Sequence, residues 1–128
     1  MIYLDSSIVL ATLLVEDRSP RTELWQDDLV SSRLLQYEVI SRLHAYGMGA
    51  EVMASAGDLL DRSALVALSP AVLARAEQPF PVAIRTLDAL HLATAVYLTR
   101  QRAQLSLATY DRRMADAARL LDLTVLAP

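Results

Sequence analysis

Short apolar runs alternate with helical stretches along this chain, and that alternation admits few architectures. Ile2-Tyr3-Leu4, Leu29-Val30-Ser31-Ser32, Leu65-Val66-Ala67-Leu68, Leu105-Ser106-Leu107-Ala108 and Leu123-Thr124-Val125-Leu126 read as strands. Between them lie helical segments. An almost wholly apolar one runs from Ile8 to Val15, and a second opens at Ser19-Pro20 and leads through Leu24-Trp25. A third, Leu34 to Tyr46, carries a stripe of Leu35, Val39, Leu43 and Tyr46 and is stopped by Gly47 and Gly49. Glu51 to about Ser63 forms a hairpin with it. Pro70 opens a short helix, Leu87 to about Arg100 is a long apolar one, and Asp111 to Leu121 is the last. Pro79-Phe80-Pro81 is the clearest loop. Strands alternating with helices imply an α/β fold around a mostly parallel sheet. With 128 residues, 54% of them hydrophobic, residues 1–128 are expected to form one domain with its own core.

Composition removes several chemistries. There is no cysteine, which excludes disulfides, thiolate metal sites and a cysteine nucleophile, and suits a reducing cytoplasm. Every basic residue is arginine, so no mechanism that needs a lysine applies. A phosphoryl-accepting receiver domain and a haloacid-dehalogenase-type phosphatase both fail on that ground. The phosphatase also wants a second aspartate where Ser7 stands. Three glycines cannot assemble a phosphate-binding loop of the P-loop or dinucleotide type. The opening residues lack the basic start of a secretory signal, and no apolar run is long enough to span a bilayer, so no membrane association is expected. A formal charge of −3 disfavours nucleic-acid binding through a broad basic field. Divalent cations gathered on carboxylates reverse the local sign and remove that objection.

In a parallel sheet, ligands bind beyond the carboxyl ends of the strands. Asp5 follows the first strand, Asp111 follows the fourth, Asp88 opens the long helix, and Glu38 lies on the helix after the second strand. Carboxylates brought together repel one another unless a cation neutralises them, and hard ions such as Mg²⁺ take oxygen ligands. Such a site activates water and orients a phosphodiester for in-line attack. A plainer reading stands beside this one. Asp5, Asp88 and Asp111 each lie where a carboxylate caps a helix, and Thr86 and Thr109 can share that work. Glu38 has Arg42 four residues on as an ion-pair partner. His91, one turn after Asp88, reads as a half-buried helix histidine or as a neighbour of the site, and His44 as a surface residue. Arg85, Arg112 and Arg113 are candidates to hold phosphate, or are solvated charge. Ser6 and Ser7 either cap the first helix or hold a water, and the tyrosines and Trp25 show no regular interleaving with basic residues.

These residues resemble the motifs of PIN domains. Ile2-Tyr3-Leu4-Asp5-Ser6-Ser7 is similar to the opening motif, a hydrophobic strand ending in aspartate and followed by small hydroxyl residues. Glu38, in Gln36-Tyr37-Glu38-Val39, resembles the second acidic position. Arg85-Thr86-Leu87-Asp88-Ala89-Leu90-His91-Leu92-Ala93-Thr94-Ala95 resembles the third motif of VapC-type toxins, and Leu107-Ala108-Thr109-Tyr110-Asp111-Arg112-Arg113-Met114 the fourth. The resemblance covers essentially the whole chain. It implies a three-layer α/β/α fold around a five-stranded parallel sheet in the order 3-2-1-4-5. It implies RNA cleavage dependent on Mg²⁺ or Mn²⁺ by Asp5, Glu38, Asp88 and Asp111, with Asp5 and Asp88 as direct metal ligands. Ser6, Arg85 and Thr109 are expected around that set as substrate-binding or supporting residues. The expected partners are an RNA substrate, a VapB-like antitoxin and a second copy of the chain. A housekeeping RNA-processing nuclease and a non-catalytic PIN-like interaction domain are the rival functions.

Overall fold

A computed structural model describes residues 1–15, 18–101 and 103–126. Its strands are β1 (Ile2–Leu4), β2 (Leu29–Ser32), β3 (Ser63–Val66), β4 (Ser106–Ala108) and β5 (Thr124–Leu126). They form one parallel sheet in the order β3-β2-β1-β4-β5. The helices are α1 (Ser6–Leu13), α2 (Arg33–Ala45), α3 (Ala50–Asp61), α4 (Pro70–Ala76), α5 (Thr86–Arg100) and α6 (Arg112–Leu120). A short 3-10 helix covers Thr22–Gln26.

The pleat sorts the side chains into two cores. Ile2, Leu4, Leu29 and Ala108 face α1, α2 and α3, packing with Ile8, Leu35, Val39, Leu43, Ala56 and Leu60. Tyr3, Val30 and Leu107 face the other way and pack with Leu92, Ala95 and Val96 of α5 and with Met114, Ala117 and Ala118 of α6. Because β1 is covered on both faces, its three residues are all apolar and buried. The expected three-layer arrangement is therefore present, with α4 packed against α5.

Strand β2 is central yet ends in two serines that are wholly buried. The Ser31 hydroxyl donates to the Leu4 carbonyl at 2.7 Å, tying the end of β1 to β2. Ser32 is the N-cap of α2, its Oγ accepting from the Leu34 amide. Both hydroxyls are thus satisfied inside the core. Helix α2 ends at Gly47, whose φ of +67° is open to glycine without strain. There the Gly47 amide donates to His44 and the Met48 amide to Leu43, a Schellman closure.

Three expected elements move. No helix opens at Ser19-Pro20; the turn begins at Thr22 and is 3-10. Proline's fixed φ suits extended chain as well as a helix start, and it biases the preceding residue toward extended backbone. Strand β3 runs Ser63–Val66 rather than Leu65 to Leu68, since its register with β2 pairs Leu29 with Ser63. An edge strand with only partial burial gives little apolar pattern to mark its start. Helix α1 occupies Ser6–Leu13, and Val15 lies beyond it, exposed and at φ +51°.

Candidate active site

The carboxyl ends of β1, β2 and β4 open on a cleft of about 440 Å³. Asp5, Glu38, Asp88 and Asp111 all line it, with Ser6, Ser7, Arg18, Arg42, Tyr46 and Arg85 around them.

Asp5 is placed by the sheet itself. Its amide donates to the Ala108 carbonyl at 3.1 Å, which extends the β1–β4 pairing by one residue and sets Asp5 beside Thr109. The side chain is buried, and its Oδ2 accepts from Ser7 Oγ and from Thr109 Oγ1, each at 2.7 Å. Those hydroxyls are fixed in turn. Ser7 Oγ accepts from the Tyr110 amide and Thr109 Oγ1 from the Asp111 amide, both at 3.0 Å. Asp5 occupies the N-cap position of α1 but makes no side-chain cap bond. Capping therefore does not account for it.

Asp111 does cap its helix. Its Oδ1 accepts from the Arg113 and Met114 amides, while its Oδ2 accepts from Arg85 at 3.0 Å. Asp88 lies in the first turn of α5, where Arg85 is the N-cap, and makes no cap bond. Its Oδ2 accepts from Arg85 Nε at 3.3 Å. Arg85, largely exposed, thus spans two carboxylates that stand far apart in sequence.

Glu38 turns away from its expected partner. Among the described residues its side-chain contact is to His91 Nε2, and no ion pair is made to Arg42. His91 is completely buried on α5, not half-buried, and its Nδ1 lies 2.8 Å from the Tyr3 hydroxyl. The sequence left His91 either a half-buried helix histidine or a neighbour of the site, and did not reveal this bond, because the two residues are 53 positions apart on different helices. His44 is exposed, as expected. Of the two serines, Ser7 holds Asp5, while Ser6 only lines the cleft. Arg112 and Arg113 do not line it.

The carboxylates follow one pattern. In Asp5, Glu38 and Asp111 one oxygen is committed to protein donors that do not come from Arg85. The other is free among the described residues or meets only the exposed guanidinium of Arg85. The Asp88 carboxyl is pushed above its ordinary range, chiefly by burial and then by the charges of Asp111 and Asp5, with Arg85 opposing. Burial likewise raises the Tyr3 phenol. The cleft therefore carries negative charge that the chain only partly neutralises.

The donor set is all oxygen, which suits Mg²⁺ or Mn²⁺ and not zinc. Among the described residues no three acidic or histidine side chains stand closely enough to enclose an ion by themselves. Magnesium commonly rests on one or two carboxylates and completes its shell with water and substrate phosphate, so the residues present fit it.

Comparison with known proteins follows the same outline. A model of the PIN domain matches residues 2–120. Ribonuclease VapC35 of Mycobacterium tuberculosis strain H37Rv is 33% identical, over all of this chain and 97% of its own length. Ribonuclease VapC46 of the same strain is 36% identical over 99% of this chain and 97% of its own, and Ribonuclease VapC47 of strain CDC 1551 is 28% identical over the whole chain. With a parallel sheet in the order 3-2-1-4-5, acidic residues gathered at its carboxyl edge and these full-length likenesses, the chain belongs to the PIN-domain family and is of the VapC type.

Proposed function

We propose that this protein is a divalent-metal-dependent endoribonuclease and the toxin of a VapBC-like pair. The observation that carries the reading is the arrival of Asp5, Glu38, Asp88 and Asp111, from four separate segments, on one cleft. The ribonuclease names of its full-length relatives support an RNA substrate. Their VapC naming supports a VapB-like antitoxin as partner, and a cytoplasmic setting and a second copy of the chain are part of the same reading.

Asp5 and Asp88 would hold Mg²⁺ or Mn²⁺ in this reading, with Ser7 and Thr109 fixing the Asp5 carboxylate by hydrogen bonds to its Oδ2. The bound ion supplies Lewis-acid polarisation of the phosphodiester and lowers the pKa of attacking water. Glu38 would orient an attacking water and accept its proton at the carboxylate oxygen not engaged by His91. Asp111, locked by its helix-cap bonds, leaves its remaining oxygen to Arg85. Arg85 has N–H groups to spare beyond its two ion pairs and takes a phosphate oxygen. Arg18 and Arg42, also lining the cleft, extend the positive rim along which an RNA backbone lies.

Purified protein with Mn²⁺ should cut single-stranded RNA, lose that activity in excess EDTA, and recover it when Mn²⁺ is restored. Asp5→Asn should lower the rate by about 10²-fold or more. Cleavage that persists in EDTA, or that Asp5→Asn leaves unchanged, defeats the reading. The toxin role is separable. It gains support if a short upstream frame encodes a protein that blocks cleavage on mixing; without such a frame the housekeeping role stands instead.

A further inference from the structure

Glu38 is a long side chain in the middle of α2, with enough torsional freedom to miss its target. The structure removes that freedom by an unusual route. Its Oε1 meets Nε2 of His91. An ionised carboxylate only accepts hydrogen bonds, so Nε2 carries the hydrogen whatever the state of Nδ1. On the far side of the ring, Nδ1 lies 2.8 Å from the Tyr3 hydroxyl. The tyrosine and imidazole rings meet edge to face, with centroids 5.8 Å apart and planes at 83°. Tyr3 and His91 are both completely buried. A line of three side chains therefore runs from beneath the central strand, through α5, to the cleft wall.

A histidine kept only for packing has no need of this. A leucine fills a comparable volume without the cost of burying two polar nitrogens. Here both nitrogens are answered by side chains from two other elements, and one of those side chains faces the cleft.

We propose that His91 is a positioning residue for the reaction: it holds Glu38 in one orientation, with a single carboxylate oxygen turned to the cleft, and Tyr3 fixes the plane of the imidazole that does so. The inference rests on the nuclease reading for the task of Glu38. Partners that orient a working carboxylate or ligand typically matter by roughly 10- to 100-fold.

The test compares two amides at one buried position. His91→Gln carries an amide nitrogen out to the level of Nε2, whereas His91→Asn stops near the level of Nδ1. With Mn²⁺ and single-stranded RNA, His91→Asn should lower kcat by roughly 10- to 100-fold with little change in KM, and His91→Gln should stay close to the wild type. In a Glu38→Gln background, His91→Asn should cost nothing further. Equal activity of the two amide variants, or losses that multiply in the double variant, overturns the proposal. Should His91→Asn fail to fold, Tyr3→Phe gives the same reading, a reduced kcat at unchanged KM. A readout without RNA or metal is the side-chain nitrogen spectrum of His91. Its Nε2 proton should be protected from solvent exchange in the wild type and lose protection in Glu38→Ala; rapid exchange in the wild type overturns the proposal. Cleavage indifferent to both Asp5→Asn and Glu38→Gln sinks the nuclease reading and this inference with it. Cleavage that needs both but ignores His91→Asn sinks the inference alone.

Discussion

At Asp88 the fold works against the charged form of a carboxyl. Burial and the neighbouring charges of Asp111 and Asp5 raise its carboxyl above the ordinary range. The folded protein therefore binds that proton more tightly than the unfolded chain, and stability falls as pH rises from the unfolded value through the folded one. Above the folded value the full penalty applies; below the unfolded value it is gone. Without metal, Asp88→Asn should accordingly melt higher than the wild type at neutral pH, and the gap should close on acidification. Adding Mn²⁺ should raise the wild-type melting temperature and leave the variant's nearly unchanged. A variant that melts lower at neutral pH contradicts this. Thr109 makes a second residue-level case, since its hydroxyl donates to Asp5 and accepts from the Asp111 amide. Thr109→Val strands that amide and should cost about 1–3 kcal/mol in denaturant unfolding. It should also lower cleavage by roughly 10- to 100-fold, with Thr109→Ser restoring both. Asp5 and Asp111 were legible because each follows a strand, where a parallel sheet binds ligands, whereas Asp88 and Glu38 were marked by their places on helices. Their partners were not legible. Ser6 and Ser7 are indistinguishable in sequence, and only the approach of β4 selects Ser7. The Glu38–His91 bond depends on two helices meeting, which no local pattern encodes.

Among the elements, β1, β2, β4 and β5 lie where the sequence placed them, and β3 starts two residues earlier. β1 is three apolar residues buried on both sides, so its limits are sharp. β3 lies at an edge, half covered, and its start is set by pairing with β2 rather than by its own hydrophobicity. β2 reads weakly because its last two residues are serines, and those serines are the joints that bind β1 to β2 and start α2. The end of α2 was legible in Gly47, and it lends itself to a clean measurement. A Cβ at Gly47 meets nothing within 4 Å, so the only cost of alanine is its left-handed backbone. Gly47→Ala should destabilise the protein by about 1–2 kcal/mol in a denaturant titration while leaving RNA cleavage intact. No loss of stability means that the Schellman turn is not what closes the helix.

At the scale of the whole molecule, the proposed function sets an acidic chain to act on an acidic polymer. The sheet order brings the ends of β1, β2 and β4 side by side, and with them the acidic residues that follow. In the structure Arg85 supplies the cationic bridge between Asp88 and Asp111. In the proposed function, a divalent ion bound in the cleft would reverse its sign toward phosphate and free the guanidinium for substrate. A crystal soaked in Mn²⁺ and measured at the manganese absorption edge decides whether this is so. One strong anomalous peak within coordinating distance of Asp5 and Asp88, vanishing in Asp5→Asn crystals soaked alike, is the expected map. An empty cleft at saturating Mn²⁺, with Asp5 and Asp88 bound only to protein donors, contradicts the metal-dependent nuclease reading.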